Sequence, residues 1–252
     1  MNDDSRIVRR GAPEPTFLDG AGEMRARIRA KNWSATPLGP VESWSPALKT
    51  MTSIMLANRF PVLHWWGPDS LSLYNDAYIP VLGVKHPDAL GQPVRECWAE
   101  IYDVLRPLIE TPLSGGPPTW SEDLLLEIRR YGFLEETHWG VAHSPVPDET
   151  AFRGIGGVLA TVHETTAQVL AVRRSAIVRE LIPPSSETRT VEQMCATAAS
   201  TFGRHPEDVP FALILSLGCR RPSGTARRSG RYGVGQPGEP GNGRLRPAMG
   251  AT

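Results

Sequence analysis

The stretch GVLATVHETTAQVLAVRR, residues 157–174, contains the boundary that decides the fold. Its first half is rich in glycine, valine and threonine, and β-branched residues favour a strand. After Thr166 the apolar spacing becomes helical. We therefore expect a strand that ends near Glu164 and a helix that leaves it directly.

Upstream of this boundary, short apolar and aromatic runs alternate with turns. The runs FPVLHWWG (60–67) and LSLYND (71–76) flank a Gly-Pro-Asp-Ser turn, which predicts a β-hairpin. Ser45 before Pro46 predicts the start of a helix that continues to about Asn58. After the hairpin come several short helical pieces, of which WAEIYDVLRPLIETPL (98–113) is the longest.

A second strand-rich part follows these helices. Its runs are TWSEDLLLEI (119–128), FLEETHWGVAHSPV (133–146) and FRGIGGVLATVHETT (152–166). Two strands, several helices and three strands predict an α+β domain in which an antiparallel sheet carries its helices on one face.

Composition narrows the function classes. The 252 residues suffice for one large domain or two modest ones, and 40% of them are apolar. Residues 1–217 hold 20 basic and 26 acidic side chains, which argues against a nucleic-acid partner. Three widely spaced cysteines, the absence of an apolar leader and the absence of a long apolar run predict a cytoplasmic protein that does not insert into a membrane.

Several motifs in combination resemble one family. They are WSATPLGP (33–40), WGPDSLSLYNDAYIPVLGVKHPDALG (66–91), TWSEDLLL (119–126), GFLEET (132–137), GGVLATVHETT (156–166) and DVPFALI (208–214). Together they resemble the N-terminal PAS domain and the start of the GAF domain of bacterial PAS–GAF hybrid sensor histidine kinases.

The resemblance implies a division of the chain into five parts. These are a disordered N-terminus (1–30), a PAS sensor domain (31–166), a signalling helix and linker (167–187), a truncated GAF start (188–217) and a disordered tail (218–252). In such kinases the catalytic core lies well downstream, so we expect this chain to be non-catalytic by itself.

The same resemblance assigns roles at the strand–helix boundary. Glu164-Thr165-Thr166 resembles the acid-x-Thr turn that closes PAS domains, which implies that Glu164 and Thr166 couple the sheet to the helix. In that helix Leu170, Ile177 and Leu181 have the spacing of a short dimer seam, so we expect a homodimer.

Other candidates for chemistry are weak. His163 and Glu164 form a pair like that of a phospho-accepting histidine, but the preceding residues predict a strand rather than the required helix. His138 and His143 are five residues apart on a predicted strand and face opposite sides, so they cannot share a metal ion. Cys97 lacks the neighbours of a flavin-reactive cysteine, and we expect neither a metal nor a cofactor.

Five rings at strand positions are the candidate pocket: Trp65, Trp66, Tyr74, Trp120 and Trp139. They either line a small-molecule pocket of unknown specificity or fill the core, because both are built from the same residue types. The sequence thus predicts a sensory or regulatory PAS module of a two-component system. The alternatives are a ligand-free dimerisation module and a fragment of a full sensor histidine kinase.

The tail has a composition of its own. Residues 218–252 contain 9 Gly, 7 Arg and 4 Pro, which predicts disorder. A one-base frameshift near codon 218 explains the abrupt change after the apolar run FALILSL (211–217), and it predicts that this run is an unpaired strand. The nucleotide sequence around that codon tests the hypothesis.

Overall fold

The computed structural model describes residues 16–182, 190–215 and 231–234. It divides into two compact units. The first ends at Ala167, and the second begins at Gln168. The helices and strands are α1 (Glu23–Ala30), α2 (Pro46–Ala57), β1 (Val62–Trp66), β2 (Leu71–Tyr74), α3 (Ile79–Leu82), α4 (Val94–Cys97), α5 (Tyr102–Leu113), β3 (Thr119–Ile128), β4 (Glu135–Pro147), β5 (Ile155–Glu164), α6 (Thr166–Leu181), α7 (Val191–Gly203), β6 (Ala212–Leu215) and β7 (Arg231–Val234).

The first unit is built on a five-stranded antiparallel sheet with the order β2-β1-β5-β4-β3. β5, the last of these five strands in sequence, therefore lies in the middle of the sheet and joins the β1–β2 hairpin to the β3–β4 hairpin. The predicted α+β, PAS-like architecture is confirmed, and so is the helix that leaves the last strand. Because β5 pairs on both sides, its backbone groups are satisfied by two ladders.

Helices pack on both faces of this sheet. Leu63, Ala160, His143 and Thr119 occupy one row across β1, β5, β4 and β3, and the Thr119 hydroxyl donates to the carbonyl of Leu108 in α5. The sequence predicts all the helices on a single face, and in this respect the structure differs. The neighbouring residue on β1, His64, faces the other way and lies 3.3 Å from the Thr52 hydroxyl of α2, so α2 adds a second layer.

The glycines before β5's apolar run make room for Trp66. A Cβ on Gly157 would lie 2.3 Å from the Trp65 carbonyl oxygen and 2.8 Å from the Trp66 ring. Gly157 is the cross-strand partner of Trp66, so only a residue without a side chain allows the indole to lie on β5. The Gly-rich sequence that signalled a strand is thus also a packing requirement.

The start of α2 follows the sequence prediction. The Ser45 hydroxyl accepts a hydrogen bond from the Leu48 amide, and Pro46 occupies the first helical turn. Leu48 and Met55 are buried on the face toward the core, and the helix ends at Ala57.

The prediction of disorder over residues 1–30 is wrong from Thr16 onward. The short helix α1 completely buries Met24 and Ile28, and the Trp33 indole donates to the Ile28 carbonyl. Two apolar residues four apart were the only sequence signal, and the alternating arginines around them obscured it. Residues 1–15 lie outside the described residues.

The second unit contains α6 from Gln168 onward, α7, β6 and β7. Thr190 and Gln193 form a reciprocal capping box at the start of α7. In the segment that follows α7, the largely buried carboxylate of Asp208 pairs with Arg173 and Arg174 of α6. This ion-pair cluster therefore joins α6 to the segment after α7.

The apolar strand predicted to be unpaired has a partner. β6 pairs antiparallel with β7, and Leu213 lies opposite Gly233. Four residues of the segment 218–252 thus form a strand, whereas that segment is predicted to lack one, and its other residues lie outside the described part of the chain. The composition of the segment could not indicate that β7 pairs with β6, because strand pairing depends on residues outside the local pattern. Leu213 and Leu215 remain exposed.

One glycine lies where the helices α3, α4 and α5, here called the helical layer, closely approach the β3–β4 turn. It provides a stability test. Gly83 has φ +55°, and a Cβ there would lie 2.2 Å from the Arg130 carbonyl oxygen. Gly67 has φ +73° but open space around it, so it serves as a matched control. Both alanine variants bear the cost of positive φ, whereas only Gly83→Ala adds the clash.

We expect Gly83→Ala to reduce the free energy of unfolding by about 1–3 kcal/mol more than Gly67→Ala, the typical cost of overpacking. All 7 tryptophans precede residue 168, so their fluorescence during denaturant unfolding reports on the first unit. Equal losses in the two variants would contradict the close approach.

Candidate functional site

The end of β5 and the start of α6 form a dense polar cluster. Arg130, from the turn between β3 and β4, donates two hydrogen bonds of 2.8 Å to the two carboxylate oxygens of Glu164. Its Nε donates to Glu135 at 3.1 Å. Such a bidentate pair fixes the guanidinium and the carboxylate in one plane.

Thr166 connects this pair to β4. Its hydroxyl donates to Glu164 Oε1 at 3.0 Å and accepts from the His138 amide at 3.0 Å. The Thr165 amide in turn donates to the His138 carbonyl at 2.8 Å. Glu164 and Thr166, the two residues predicted to couple sheet and helix, are therefore in direct contact at the first residue of α6.

The charges of the cluster stabilise one another. Hydrogen bonds from Arg130 hold the pKa of Glu164 below its ordinary value, against the opposing effect of partial burial. The hydrogen bond to Glu164 likewise raises the pKa of Arg130. Glu164 is thus ionised at neutral pH, and the junction is an ion pair rather than a neutral hydrogen bond.

Arg130 belongs to the candidate site but was not singled out from the sequence. It lies in the Arg-Arg-Tyr-Gly segment between β3 and β4. Its guanidinium lies 5.8 Å from the ring of Trp139 and 5.7 Å from that of Tyr131, at distances typical of cation–π contacts. The pairing with Glu164 spans 34 residues of sequence, and no local pattern signals it.

The five candidate pocket rings do not line one cavity. Trp65, Tyr74 and Trp139 are buried on the sheet face that α5 covers. Trp66 lies on the opposite face, 5.7 Å from the His64 ring, and Trp120 on that face is 65% exposed. Neighbouring strand residues alternate between faces, which separates Trp65 from Trp66.

The buried rings are packed against protein groups. The Trp65 ring stacks on His143 at 5.8 Å, the Tyr74 hydroxyl lies 2.9 Å from His86 Nδ1, and the Trp139 indole donates to the Thr137 hydroxyl. The Nε1 atom of Trp65 and the hydroxyl of Ser72 find no hydrogen-bond partner among the described residues. These rings therefore contribute to the core, with two polar atoms left over on the α5 side.

A small cleft opens between the β1–β2 turn and α5. Its volume is about 70 Å³, and its lining includes Ser70, Val94, Tyr102 and Ile109. Ligand pockets are typically about 300–1,000 Å³, whereas this space holds only a few water molecules. A larger ligand therefore does not fit in this cleft as it stands.

Two of the buried histidines, His64 and His143, are neutral. Burial lowers the pKa of His64 to about 3 and that of His143 to about 4. Burial also raises the pKa of the Cys97 thiol to about 12, and the side chain is packed as a small apolar group. His163 lies near the end of β5 with its side chain exposed, in the strand context that the sequence indicates.

His138 and His143 lie on opposite faces of β4, as their spacing predicts. The described part of the chain contains no group of three or more His, Cys, Asp and Glu side chains arranged to hold a metal ion. No described helix is long and apolar enough to cross a membrane.

The predicted dimer seam is incomplete. In α6, Ile177 is 5% exposed within the single chain, which removes it from a contact with a second copy. Leu170 and Leu181 are half-buried. Helical spacing placed the three residues together but could not show that one of them packs inside its own chain.

Comparisons place this fold among known structures. Solved structures that resemble it include the PAS domain of Bordetella pertussis BvgS, at 19% identity and a TM-score of 0.34 over 53% of this chain and 97% of that one. A sensory box sensor histidine kinase from Vibrio cholerae shares 18% identity at a TM-score of 0.33, over 46% of this chain and 89% of that one.

A LOV protein from Rhodobacter sphaeroides shares 13% identity at a TM-score of 0.35, over 64% of this chain and 86% of that one. No family model matches the chain, and no curated protein matches it. The assignment of a PAS-like fold therefore rests on the chain's own sheet and helices, and the GAF part of the predicted resemblance stays a prediction.

The neutral histidines generate a pH test. His143 stays unprotonated in the folded unit down to about pH 4, whereas the unfolded chain protonates it near 6.5. Below 6.5 the unfolded state therefore binds more protons, and stability falls as the pH falls, by about 1.4 kcal/mol per pH unit for each such group.

We expect His143→Phe, which keeps a ring against Trp65, to remove about that slope between pH 6.5 and 4. The control His163→Gln changes an exposed histidine and should keep the wild-type slope. Denaturant unfolding at a series of pH values measures both, and an unchanged slope in His143→Phe would contradict a neutral, buried His143.

Proposed function

We propose that this chain is a sensory or regulatory module of the PAS type, in which changes in the helical layer of the first unit reach α6 through the Glu164–Thr166 turn. The observation that carries the proposal is the bidentate Arg130–Glu164 pair at the first residue of α6. A device that transmits a change needs a specific, charged contact at the point where the output element leaves the sheet.

The contact also extends to the helical layer. The Val84 amide, which follows α3, donates to the Arg130 carbonyl at 2.8 Å, and Gly83 lies against the same oxygen. A displacement of this segment moves the Arg130 backbone and hence its guanidinium. The proposed route therefore runs from Val84 through Arg130 to Glu164 and Thr166.

The finer features of the proposal rest on the sequence. The resemblance to sensor histidine kinases supports a role in a two-component system, and the scattered cysteines support a cytoplasmic location. We propose that the module has no autokinase activity, since the sequence contains no Gly-Lys-Ser/Thr phosphate loop and His163 lies on a strand.

A double-mutant cycle tests the route. Val81→Ala loosens the helical layer at a buried residue of α3, and Glu164→Gln removes the charge that Arg130 binds. The readout is the hydrogen-exchange protection of the Thr165 amide, which donates to His138 at the junction. We expect the two effects to be coupled by more than about 0.5 kcal/mol, the limit within which independent sites add.

The matched control is Leu48→Ala, which creates a cavity of similar chemistry under α2 on the other face of the sheet. Its effect should add to that of Glu164→Gln. Additive effects of Val81→Ala as well would show that the helical layer and the junction are independent, which contradicts the proposed route.

A second candidate is a dimerisation module that needs no ligand. It is favoured by the exposed outer face of β3, where Trp120 is 65% and Leu125 is 55% exposed. Sedimentation of wild type and Trp120→Ser separates the candidates. A dimer that dissociates in the variant supports this one, whereas an unchanged state removes β3 as the interface.

A further inference from the structure

The side chain of His138 makes contacts of its own, in addition to the backbone hydrogen bonds by which His138 holds the β5–α6 junction. Its Nδ1 lies 2.7 Å from Asp123 Oδ1, and its Nε2 lies 3.1 Å from Glu136 Oε1. The residue is only 8% exposed. A carboxylate thus stands at each nitrogen of one imidazole ring.

This geometry selects one protonation state. A carboxylate at neutral pH only accepts hydrogen bonds, so each of the two nitrogens must carry a proton to satisfy its partner. A neutral imidazole has one N–H group, and its other nitrogen would direct a lone pair at a carboxylate oxygen. The arrangement is complete only with the imidazolium.

The charged groups around the ring act in the same direction. Asp123 approaches from β3 and Glu136 from β4, and Glu127, the cross-strand partner of Glu136, lies on the same face. His163 of β5 is on that face also, opposite Gly140. Burial would lower the pKa of His138, but the two carboxylates outweigh it and the pKa is raised.

His138 is also in contact with the start of α6. Asp123 lies in the irregular stretch of β3 between Ser121 and Leu124, where the pairing with β4 is interrupted. The backbone of His138 holds both Thr165 and Thr166. The His138 ring therefore connects the irregular stretch of the edge strand β3 to β4. The backbone of the same β4 residue is hydrogen-bonded to the start of α6.

We propose that Asp123, His138 and Glu136 form a pH-dependent latch that holds the β5–α6 junction closed when His138 is protonated and loosens it when the proton is lost. This inference rests on the proposed function, in which α6 is the output element. It adds the signal, a change of proton concentration near neutral pH, to which a histidine is suited.

The direction follows from linkage. The pKa of His138 is higher in the folded unit than the ordinary value of 6.5, so the latch contributes its full stabilisation below about 6.5. That contribution is lost as the pH rises through the folded-state pKa. The junction should therefore open on the alkaline side, the opposite of the acid response expected from His143.

NMR titration of the full chain tests the protonation state. We expect both ring nitrogens of His138 to carry protons at about pH 6.5, and Asp123→Asn and Glu136→Gln each to lower its titration midpoint by about one pH unit. The matched control Glu127→Gln removes a carboxylate from the same face that does not contact the ring, and it should move the midpoint far less. A neutral His138 at that pH, or a midpoint that neither variant lowers, overturns the latch.

Hydrogen exchange tests the consequence for the junction. The protection factor of the Thr165 amide, corrected for intrinsic exchange, should fall as the pH rises from about 6.5 to the His138 midpoint, by up to about tenfold per pH unit, and should level off above that midpoint. In His138→Gln it should not depend on pH. Should that variant fail to fold, Asp123→Asn must move the exchange transition and the NMR midpoint together, and an exchange transition that stays in place overturns the latch.

The outcomes separate this inference from the proposed function. Protection at Thr165 that ignores pH, together with coupled Val81→Ala and Glu164→Gln effects, removes the latch and leaves the transmission route intact. Protection that follows His138 while the double-mutant cycle is additive supports the latch and removes the route from the helical layer.

Discussion

The ion pair between Arg130 and Glu164 joins parts of the first unit that are far apart in sequence. Arg130 belongs to the β3–β4 turn at the edge of the sheet, and Glu164 ends the central strand. Through its carbonyl, Arg130 also accepts the Val84 amide of the helical layer. One residue therefore contacts the edge hairpin, the central strand and the helices, and the first turn of α6 is placed by the carboxylate that it holds.

This pair is stable because of where it lies. The Arg130 side chain is 11% exposed and its guanidinium is flanked by the Trp139 ring, so water competes poorly for the hydrogen bonds. Glu135 supplies a second carboxylate to Nε, and Thr166 donates to Glu164, so that most polar atoms of the cluster have partners. Removing one member leaves the others with charge that is only partly hydrated, and that makes such a cluster a sensitive point of control.

The core around this pair is closely packed. The rings of Trp65, Tyr74 and Trp139 pack against neighbouring side chains, and the cleft beside α5 is small. In the function proposed above, a signal would therefore enter in one of two ways, by rearrangement of the helical layer around a ligand or by titration of a group that the unit already holds. His138 belongs to the second class, because its two carboxylate partners and the start of α6 converge on one residue of β4.

Local sequence patterns determined the strands of the sheet, the capped start of α2 and the exit helix, whereas the two turn residues Glu164 and Thr166 were implied by the family resemblance. Each of the pattern-based features depends on residues within a few positions of one another, through side-chain alternation or capping. The Gly-rich approach to β5 indicated a strand, and the structure adds that Gly157 leaves room for Trp66.

Tertiary structure decided the rest. That Arg130 pairs with Glu164, that His138 lies between Asp123 and Glu136, and that Ile177 packs inside its own chain depend on strand order and register. The tertiary structure also stabilises α1, whose two buried apolar residues are too few to predict a helix from the sequence. It places Trp66 on the opposite face of the sheet from Trp65. The physical reason is that burial and charge pairing are properties of neighbours in space, and in an antiparallel sheet with β5 at its centre those neighbours come from distant parts of the chain.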